Sequence, residues 1–293
     1  MSLVQQTIFG LVTGSYIAIA AIGFTLVYGL INMLNIAYGE YLTIGAYVGF
    51  VSMELGLPLL VVLPVATLAT AVVGLGLTKA FFRPIVEKGP IPLLITSVGV
   101  GIMVRNGIRL LADNDLRYLN AGPPMVFRFD VLGEVFFNTA HLLVVGMALT
   151  SFATVHLLLT RTTVGVAMRA MKDNENLARI NGVDVFRVRN VVWLLACGLG
   201  GLAGVLIGVQ TAASPLMGFQ QLLVILAAAT LGGAGSAYGA IVGAYVLGIT
   251  MELSIGLLPA WAAQLGTTMA FVILIGVLLI RPGGVTGQEV TKV

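Results

Sequence analysis

Charge is what this sequence has least of. Only 9% of its 293 residues are charged and 58% are hydrophobic, against roughly 25% charged in an ordinary soluble domain. Residues 1–39 carry no charged side chain, and residues 190–280 carry only Glu252. A soluble core cannot absorb this much apolar surface, whereas a membrane-spanning helix needs about 20 mostly apolar residues. The sequence therefore predicts a helical protein that crosses a membrane several times.

Other scarcities exclude classes of function. The single cysteine, Cys197, rules out an intramolecular disulfide, and its glycine-rich surroundings favour a packing role. The two histidines have no acidic neighbour in their spans, so no metal site is predicted. Motifs of zinc proteases, serine hydrolases and P-loop ATPases are missing. We therefore expect no catalytic residues, no bound cofactor and no ATP hydrolysis by this chain.

The apolar runs and turn signals predict an all-α polytopic membrane protein with about eight to ten transmembrane helices in one domain over residues 1–293. The spans 41–56 and 221–234 are short for a straight crossing and are interpreted as broken or re-entrant helices. The nine predicted spans are 7–30, 41–56, 59–80, 92–112, 139–160, 190–210, 221–234, 238–256 and 261–280.

Basic residues set the expected orientation in the plasma (inner) membrane. Six of the fifteen lie in 161–189 and three in 79–88, which the positive-inside rule places in the cytoplasm, so no nucleic-acid partner is needed to explain them. The 113–138 segment, which is mixed in sign and contains Pro123, Pro124, Asp130 and Glu134, is then an external loop. The N-terminus lies outside, and the C-terminus, with Arg281 and Lys292, lies in the cytoplasm.

The first charged side chain, Glu40, follows Asn35 and Gly39 and precedes Thr43. Asn and Gly disfavour a helix interior, so this stretch predicts a helix interruption. A carboxylate deep in the bilayer costs about 2.5–3.5 kcal/mol. Glu40 is therefore expected either to cap the second span at the cytoplasmic interface or to face a polar cavity.

A second interruption, Gly232, Gly233, Gly235 and Ser236, is hypothesised to be the counterpart of the first. "GAYV" at 45–48 recurs at 243–246, which hints at an internal repeat. The alternative is close helix packing, and for Gly239 and Gly243 it is favoured. Arg105 and Arg109 are expected to snorkel at the outer end of the fourth span, with an Arg109–Asp113 pair as a further option.

The loop "TVGVAMRAMKDNENLARINGVDVFRVRN" (163–190) predicts two short helices. Asp173 or Asn174 can cap the second helix, Glu175 suits its first turn and Gly182 its end. Leu177, Ala178 and Ile180 are expected to be available to a partner. An ordinary solvated loop is the alternative.

Three motifs in register resemble the permease subunits of branched-chain amino-acid ABC transporters. One is the loop pattern G-x3-RA-x2-D-x4-A-x3-G; the others are "NIAYGEYLTIGAY" (35–47) and "LGGAGSAYGAIVGAY" (231–245). The likeness covers essentially the whole chain and is greatest to the first of the two permease subunits. The chain departs from the commonest pattern at Tyr38, where many members carry His. In the loop, the residues that match the family pattern are Gly165, Arg169, Ala170, Asp173, Ala178 and Gly182.

The resemblance implies a permease subunit of an ATP-driven importer for branched-chain or other neutral amino acids. It also implies four kinds of partner. These are a second permease in a heterodimer, two cytoplasmic ATPases that bind ATP and dock on residues 165–182 of the 161–189 coupling loop, an external substrate-binding protein, and the lipid bilayer. Residues 35–40 would line the translocation pathway. Relatives that import urea or short amides offer one alternative, and a stand-alone channel or secondary transporter offers another.

Overall fold

The computed structural model describes residues 3–119, 125–129, 135–257, 265–281 and 283–285. Within these ranges the chain is a bundle of apolar helices with one small β-hairpin. A π-helical turn (Thr78–Phe82) prolongs the third helix. The elements are α1 (Leu3–Ile31), α2 (Tyr38–Glu54), α3 (Leu59–Leu77), α4 (Pro90–Ala112), β1 (Val126–Phe129), β2 (Val135–Asn138), α5 (Thr139–Arg161), α6 (Thr163–Asp173), α7 (Glu175–Ile180), α8 (Val185–Gln210), α9 (Met217–Gly232), α10 (Ala237–Leu257) and α11 (Gly266–Ile280).

The predicted fold class is confirmed. In the described part of the chain, 6 helices are long and apolar enough to cross a membrane, namely α1, α3 with its π-helical turn, α4, α5, α8 and α10. α9 and α11 are apolar but shorter, and α2 has 17 residues. Together these helices match the predicted spans. The largest differences are at the starts of α8 (185 against 190) and α11 (266 against 261).

Glycines allow the central helices to approach closely. α1 is buried along most of its length, and a Cβ added at Gly14 would stand 3.0 Å from the Cα of Tyr245 on α10. On the other side of α10, a Cβ at Gly243 would meet the backbone of Ala228 on α9. Close packing of this kind is the main source of helix association in a membrane. The predicted packing role of Gly243 is therefore confirmed.

A β-hairpin that the sequence analysis did not predict lies between α4 and α5. β1 and β2 pair antiparallel, with Val126 opposite Asn138. The Gln5 side chain of α1 both donates to and accepts from the backbone of Phe136, each at 2.8 Å. This contact fixes the hairpin at the α1 N-terminus. Pro123, Pro124, Asp130 and Glu134, which we expected in the external loop, and Lys292 lie outside the described residues.

Candidate functional site

The chain unwinds between α1 and α2 and runs along α4. Asn32 ends α1 with a left-handed backbone (φ 52), a conformation that Asn tolerates after a helix end. The Ile36 backbone N–H then donates to Ser97 Oγ at 3.1 Å. One turn further along α4, a Cβ added at Gly101 would stand 3.5 Å from the Cα of Ala37. The unwound segment therefore follows one face of α4.

This segment carries the start of α2 deep into the bundle. Gly101 comes eleven residues after Pro90, the first residue of α4 (101 − 90). At 1.5 Å per residue this places it about 16 Å along the helix axis, roughly half of a hydrocarbon core that is about 30 Å thick. Glu40, in the first turn of α2, lies beyond Ala37 in the same direction. Glu40 therefore lies in the first turn of a helix, as the capping alternative expects, and it is buried about halfway along α4.

Glu40 forms an ion pair with Arg105, one turn beyond Gly101 on α4. Its Oε1 accepts from Arg105 Nε at 3.0 Å and from Nη2 at 2.5 Å. The carboxylate is 1% exposed and the guanidinium side chain 16%. The expectation that Arg105 snorkels to the interface is wrong, because it turns inward to a buried carboxylate. Sequence spacing could not reveal a pair that is 65 residues apart.

Arg109 lies one turn further along α4 beside this pair. Its Nε is buried and has no hydrogen-bond partner among the described residues. The suggested Arg109–Asp113 pair does not occur among the salt bridges of the described chain. Arg109 is therefore a second guanidinium near Glu40, and it forms no salt bridge with another carboxylate in the described chain.

α9 forms the third side of the site. The Gly218 N–H donates to Thr43 Oγ1 at 3.2 Å, and a Cβ at Gly39 would stand 2.8 Å from the carbonyl carbon of Gly218. This approach places the Phe219 ring 4.4 Å from the Arg105 guanidinium carbon, a distance suited to a cation–π contact. Phe219, Gln220 and Leu223 are exposed on the same helix. Polar groups at this depth do not face lipid tails in a stable membrane protein.

The structure brings four predicted pathway residues together and separates four others from them. Asn35, Gly39, Glu40 and Thr43 are all buried at or just before the start of α2, and the last three contact α4 or α9. Gly232, Gly233, Gly235 and Ser236 lie at the opposite end of α9, fourteen residues from Gly218 (232 − 218), which is about 21 Å along the axis. The second interruption is present between α9 and α10, with positive φ at Gly233 (105) and Gly235 (88), but it does not contact Glu40. It lies instead beside Leu34, with which Gly235 lines a cavity of about 180 Å³.

Tyr38, the departure from the commonest family pattern, is a core residue. It has 0% exposure. Its hydroxyl lies 2.8 Å from the Ala20 carbonyl of α1 and 3.3 Å from the Ala196 carbonyl of α8. It therefore ties the start of α2 to two other helices and does not present its hydroxyl to the Glu40–Arg105 pair.

The loop helices have the predicted ends. Asn174 caps α7 by accepting from the Leu177 N–H at 3.0 Å, and Glu175 occupies the first turn. Gly182 has φ +84 just after the helix. Ala178, however, is 4% exposed, so the prediction that it is available to a partner is wrong; it is held in the core. Leu177 and Ile180 are 58% and 83% exposed.

Polar contacts hold this loop against the helix ends. Lys172 Nζ donates to the Gly235 carbonyl at 3.0 Å, and Arg169 donates to the Leu159 carbonyl of α5. Arg189 of α8 donates to Glu175 at 2.6 Å. Gly165 packs on the α5 backbone, and Asp173 ends α6 with an exposed side chain. The loop is therefore in direct contact with the Gly232–Ser236 turn.

Known proteins resemble this chain over nearly its full length. The family model described as "Branched-chain amino acid transport system / permease component" matches residues 6–280. The high-affinity branched-chain amino acid permease protein BraD of Pseudomonas aeruginosa is 29% identical, covering 99% of this chain and 97% of BraD. LivH of Escherichia coli K12, with the same description, is 30% identical with the same coverage.

One solved structure shares the fold. PsaBC from Streptococcus pneumoniae, in complex with a Fab, matches with a TM-score of 0.50 and 16% identity, over 97% of this chain and 93% of the other. At this identity the likeness concerns the helix arrangement alone.

The ion pair generates a stability prediction. Because breaking a buried pair leaves an uncompensated charge, Arg105→Gln should destabilise the fold by about 3–5 kcal/mol. The double variant Glu40→Gln/Arg105→Gln should recover part of that loss. The measurement is thermal unfolding of the purified protein in detergent. Arg187→Gln is the control and should change little, because the Arg187 side chain is 87% exposed and its partner Asp184 51%. Equal unfolding temperatures for Arg105→Gln and Arg187→Gln would contradict the prediction.

Proposed function

Because the chain belongs to the family of permease components of branched-chain amino acid transport systems, we propose that it is one permease subunit of an ATP-driven importer for branched-chain or other small neutral amino acids. The observation that carries the proposal is the family match over residues 6–280 together with a charged pair buried about halfway along α4. An intramembrane ionisable pair that faces protein is typical of a transport route. The N-terminus is assigned to the outside and the C-terminus to the cytoplasm, following the basic residues.

The ATPases of this importer are separate polypeptides that dock on α6 and α7. α7 offers Leu177 and Ile180 as exposed apolar side chains on a short helix whose two ends are fixed. A short helix inserting a few apolar side chains into a groove is a common recognition mode. Since Lys172 and Arg169 hold α6 to neighbouring helix ends, a force on this loop acts directly on the bundle.

The α2–α4–α9 face is the wall of the translocation pathway, and a second permease subunit supplies the opposite wall. Arg105 and Gln220 at this depth require water or protein beside them. Phe219 and Leu223 on the same face suit the aliphatic side chain of a neutral amino acid. An external binding protein delivers the substrate to the end of the bundle that carries the hairpin.

Purification of the tagged chain from its native membrane tests the assembly. Mass spectrometry of the recovered complex should find a second permease and an ATPase with two copies per complex. Recovery of the chain alone after crosslinking, with uptake by the chain alone in liposomes, would refute the importer and favour a channel.

Docking of the ATPases on α7 predicts that changing its exposed side chains uncouples ATP hydrolysis from uptake. Leu177→Asp/Ile180→Asp should lower ATP-driven uptake in proteoliposomes at least about tenfold, since charge in an apolar contact opposes docking. Membrane insertion and thermal unfolding should stay unchanged because both side chains are exposed. Lys88→Gln, an exposed residue of the other cytoplasmic segment, is the control. Normal uptake in the α7 variant would place the docking surface elsewhere.

The pathway wall can be mapped with cysteines, because the natural Cys197 is buried with 0% exposure. Gln220→Cys should react with a water-soluble thiol reagent in the assembled transporter, and added substrate should slow that reaction. Leu149→Cys, at a 60% exposed position ten residues into α5 (149 − 139), should stay unreactive in the bilayer. If both cysteines react alike, or if substrate has no effect at Gln220→Cys, the α2–α4–α9 face is not the pathway.

A further inference from the structure

A cavity of about 200 Å³ lies at the hairpin end of the bundle, between α1, α5, α8 and α10. None of its lining residues belongs to α2, α4 or α9, so it is separate from the Glu40–Arg105 site. The Phe9 ring borders it and contacts the rings of Phe136 and His141, with centroids 5.6 Å and 5.3 Å away. β2 therefore lies beside the cavity. Its lining is Phe9, Val12, Thr13, Tyr16, His141, Gln210, Thr211 and Glu252.

Glu252 is the one charged residue in 190–280, and it faces this cavity. Thr13 Oγ1 of α1 donates to its Oε1 at 2.9 Å. No basic side chain forms a salt bridge with it in the described part of the chain. The Glu40 carboxylate is paired with the positively charged Arg105, whereas the Glu252 carboxylate accepts a hydrogen bond from the uncharged Thr13 hydroxyl. A carboxylate within a membrane helix is retained where a cation compensates it.

The other groups of the cavity suit a cation that carries both N–H donors and an alkyl part. The Phe9 and Tyr16 side chains place aromatic rings in the wall, and such rings attract cations electrostatically. Val12 adds apolar surface.

We propose that this cavity binds a primary ammonium group, with Glu252 as its counter-ion and the Phe9 and Tyr16 rings around it. A divalent metal is disfavoured, because Ca²⁺ and Mg²⁺ sites gather several oxygen ligands. In the described residues no group of three His, Cys, Asp or Glu side chains stands ready to hold a metal ion. A cavity of about 200 Å³ also exceeds the roughly 30 Å³ that one water occupies, so it has room for an organic cation.

The ammonium group can come from two sources. One is a small amine in the outside medium, and the other is the headgroup of phosphatidylethanolamine in the membrane leaflet at this end of the bundle. Both present a primary ammonium on a short alkyl chain. The site does not depend on the amino-acid importer being the correct function, and its failure would leave that proposal untouched.

Binding to the full chain, purified in detergent, tests the site with both probes. Native mass spectrometry would count bound phosphatidylethanolamine against phosphatidylcholine, whose quaternary ammonium has no N–H donor. Thermal unfolding in rising ethylammonium chloride, with sodium chloride at equal ionic strength as reference, would report the free amine. Glu252→Gln should lower the affinity for the probe about tenfold or more, which corresponds to about 1.4 kcal/mol or more of binding free energy. Glu252→Asp, which keeps the charge, should retain part of the binding.

Glu54→Gln is the matched control, because Glu54 is an exposed carboxylate at the last residue of α2 and should leave binding unchanged. Selective binding of phosphatidylethanolamine that Glu252→Gln abolishes supports a lipid headgroup site; an ethylammonium effect lost in the same variant supports a soluble amine. Equal binding of the two lipids together with no ethylammonium effect would overturn the proposal, as would equal behaviour of Glu252→Gln and Glu54→Gln. Should Glu252→Gln fail to fold, Phe9→Leu, which removes an aromatic ring from the cavity wall, must weaken binding, or the site is rejected.

Discussion

The ion pair between Glu40 and Arg105 governs the architecture around it. A buried carboxylate and guanidinium stabilise each other by direct contact, and Glu40 reaches Arg105 because the chain leaves α1 after Ile31 and follows α4 before α2 begins. The left-handed Asn32, the Ile36–Ser97 hydrogen bond and the close approach at Gly101 are the steps of that path. The non-helical segment between α1 and α2 thus brings the backbone to the position where Glu40 is buried beside Arg105.

α9 connects this charged site with the cytoplasmic loop. Its N-terminal end contacts Gly39 and Thr43, and its C-terminal end leads into the turn whose Gly235 carbonyl is bound by Lys172. A helix of 16 residues is about 24 Å long. Because the two sites occupy opposite ends of one short helix, a shift of the loop has a rigid path to Phe219 and so to Arg105.

Much of the fold and part of the site could be predicted from sequence. The spans follow from long apolar runs, and the α7 ends follow from Asn174, Glu175 and Gly182, because hydropathy and capping are local properties. The Glu40–Arg105 pair and the burial of Ala178 were missed, since both depend on which helices become neighbours. The hairpin was missed because its strands are only four residues long. The hypothesis that the two interruptions are counterparts in an internal repeat stays a prediction; Gly235 of the second lies beside Leu34 of the first.

The two intramembrane carboxylates show how one chain can treat the same chemical group in two ways. Glu40 is neutralised within the protein by Arg105, so a passing substrate must compete with an existing pair. Glu252 accepts a hydroxyl hydrogen bond and borders open space, so its charge is available to something outside the chain. The first arrangement suits a wall that must hold its shape while substrate moves past it. The second suits a resident ligand, because a carboxylate of this kind gains most from a cation that stays.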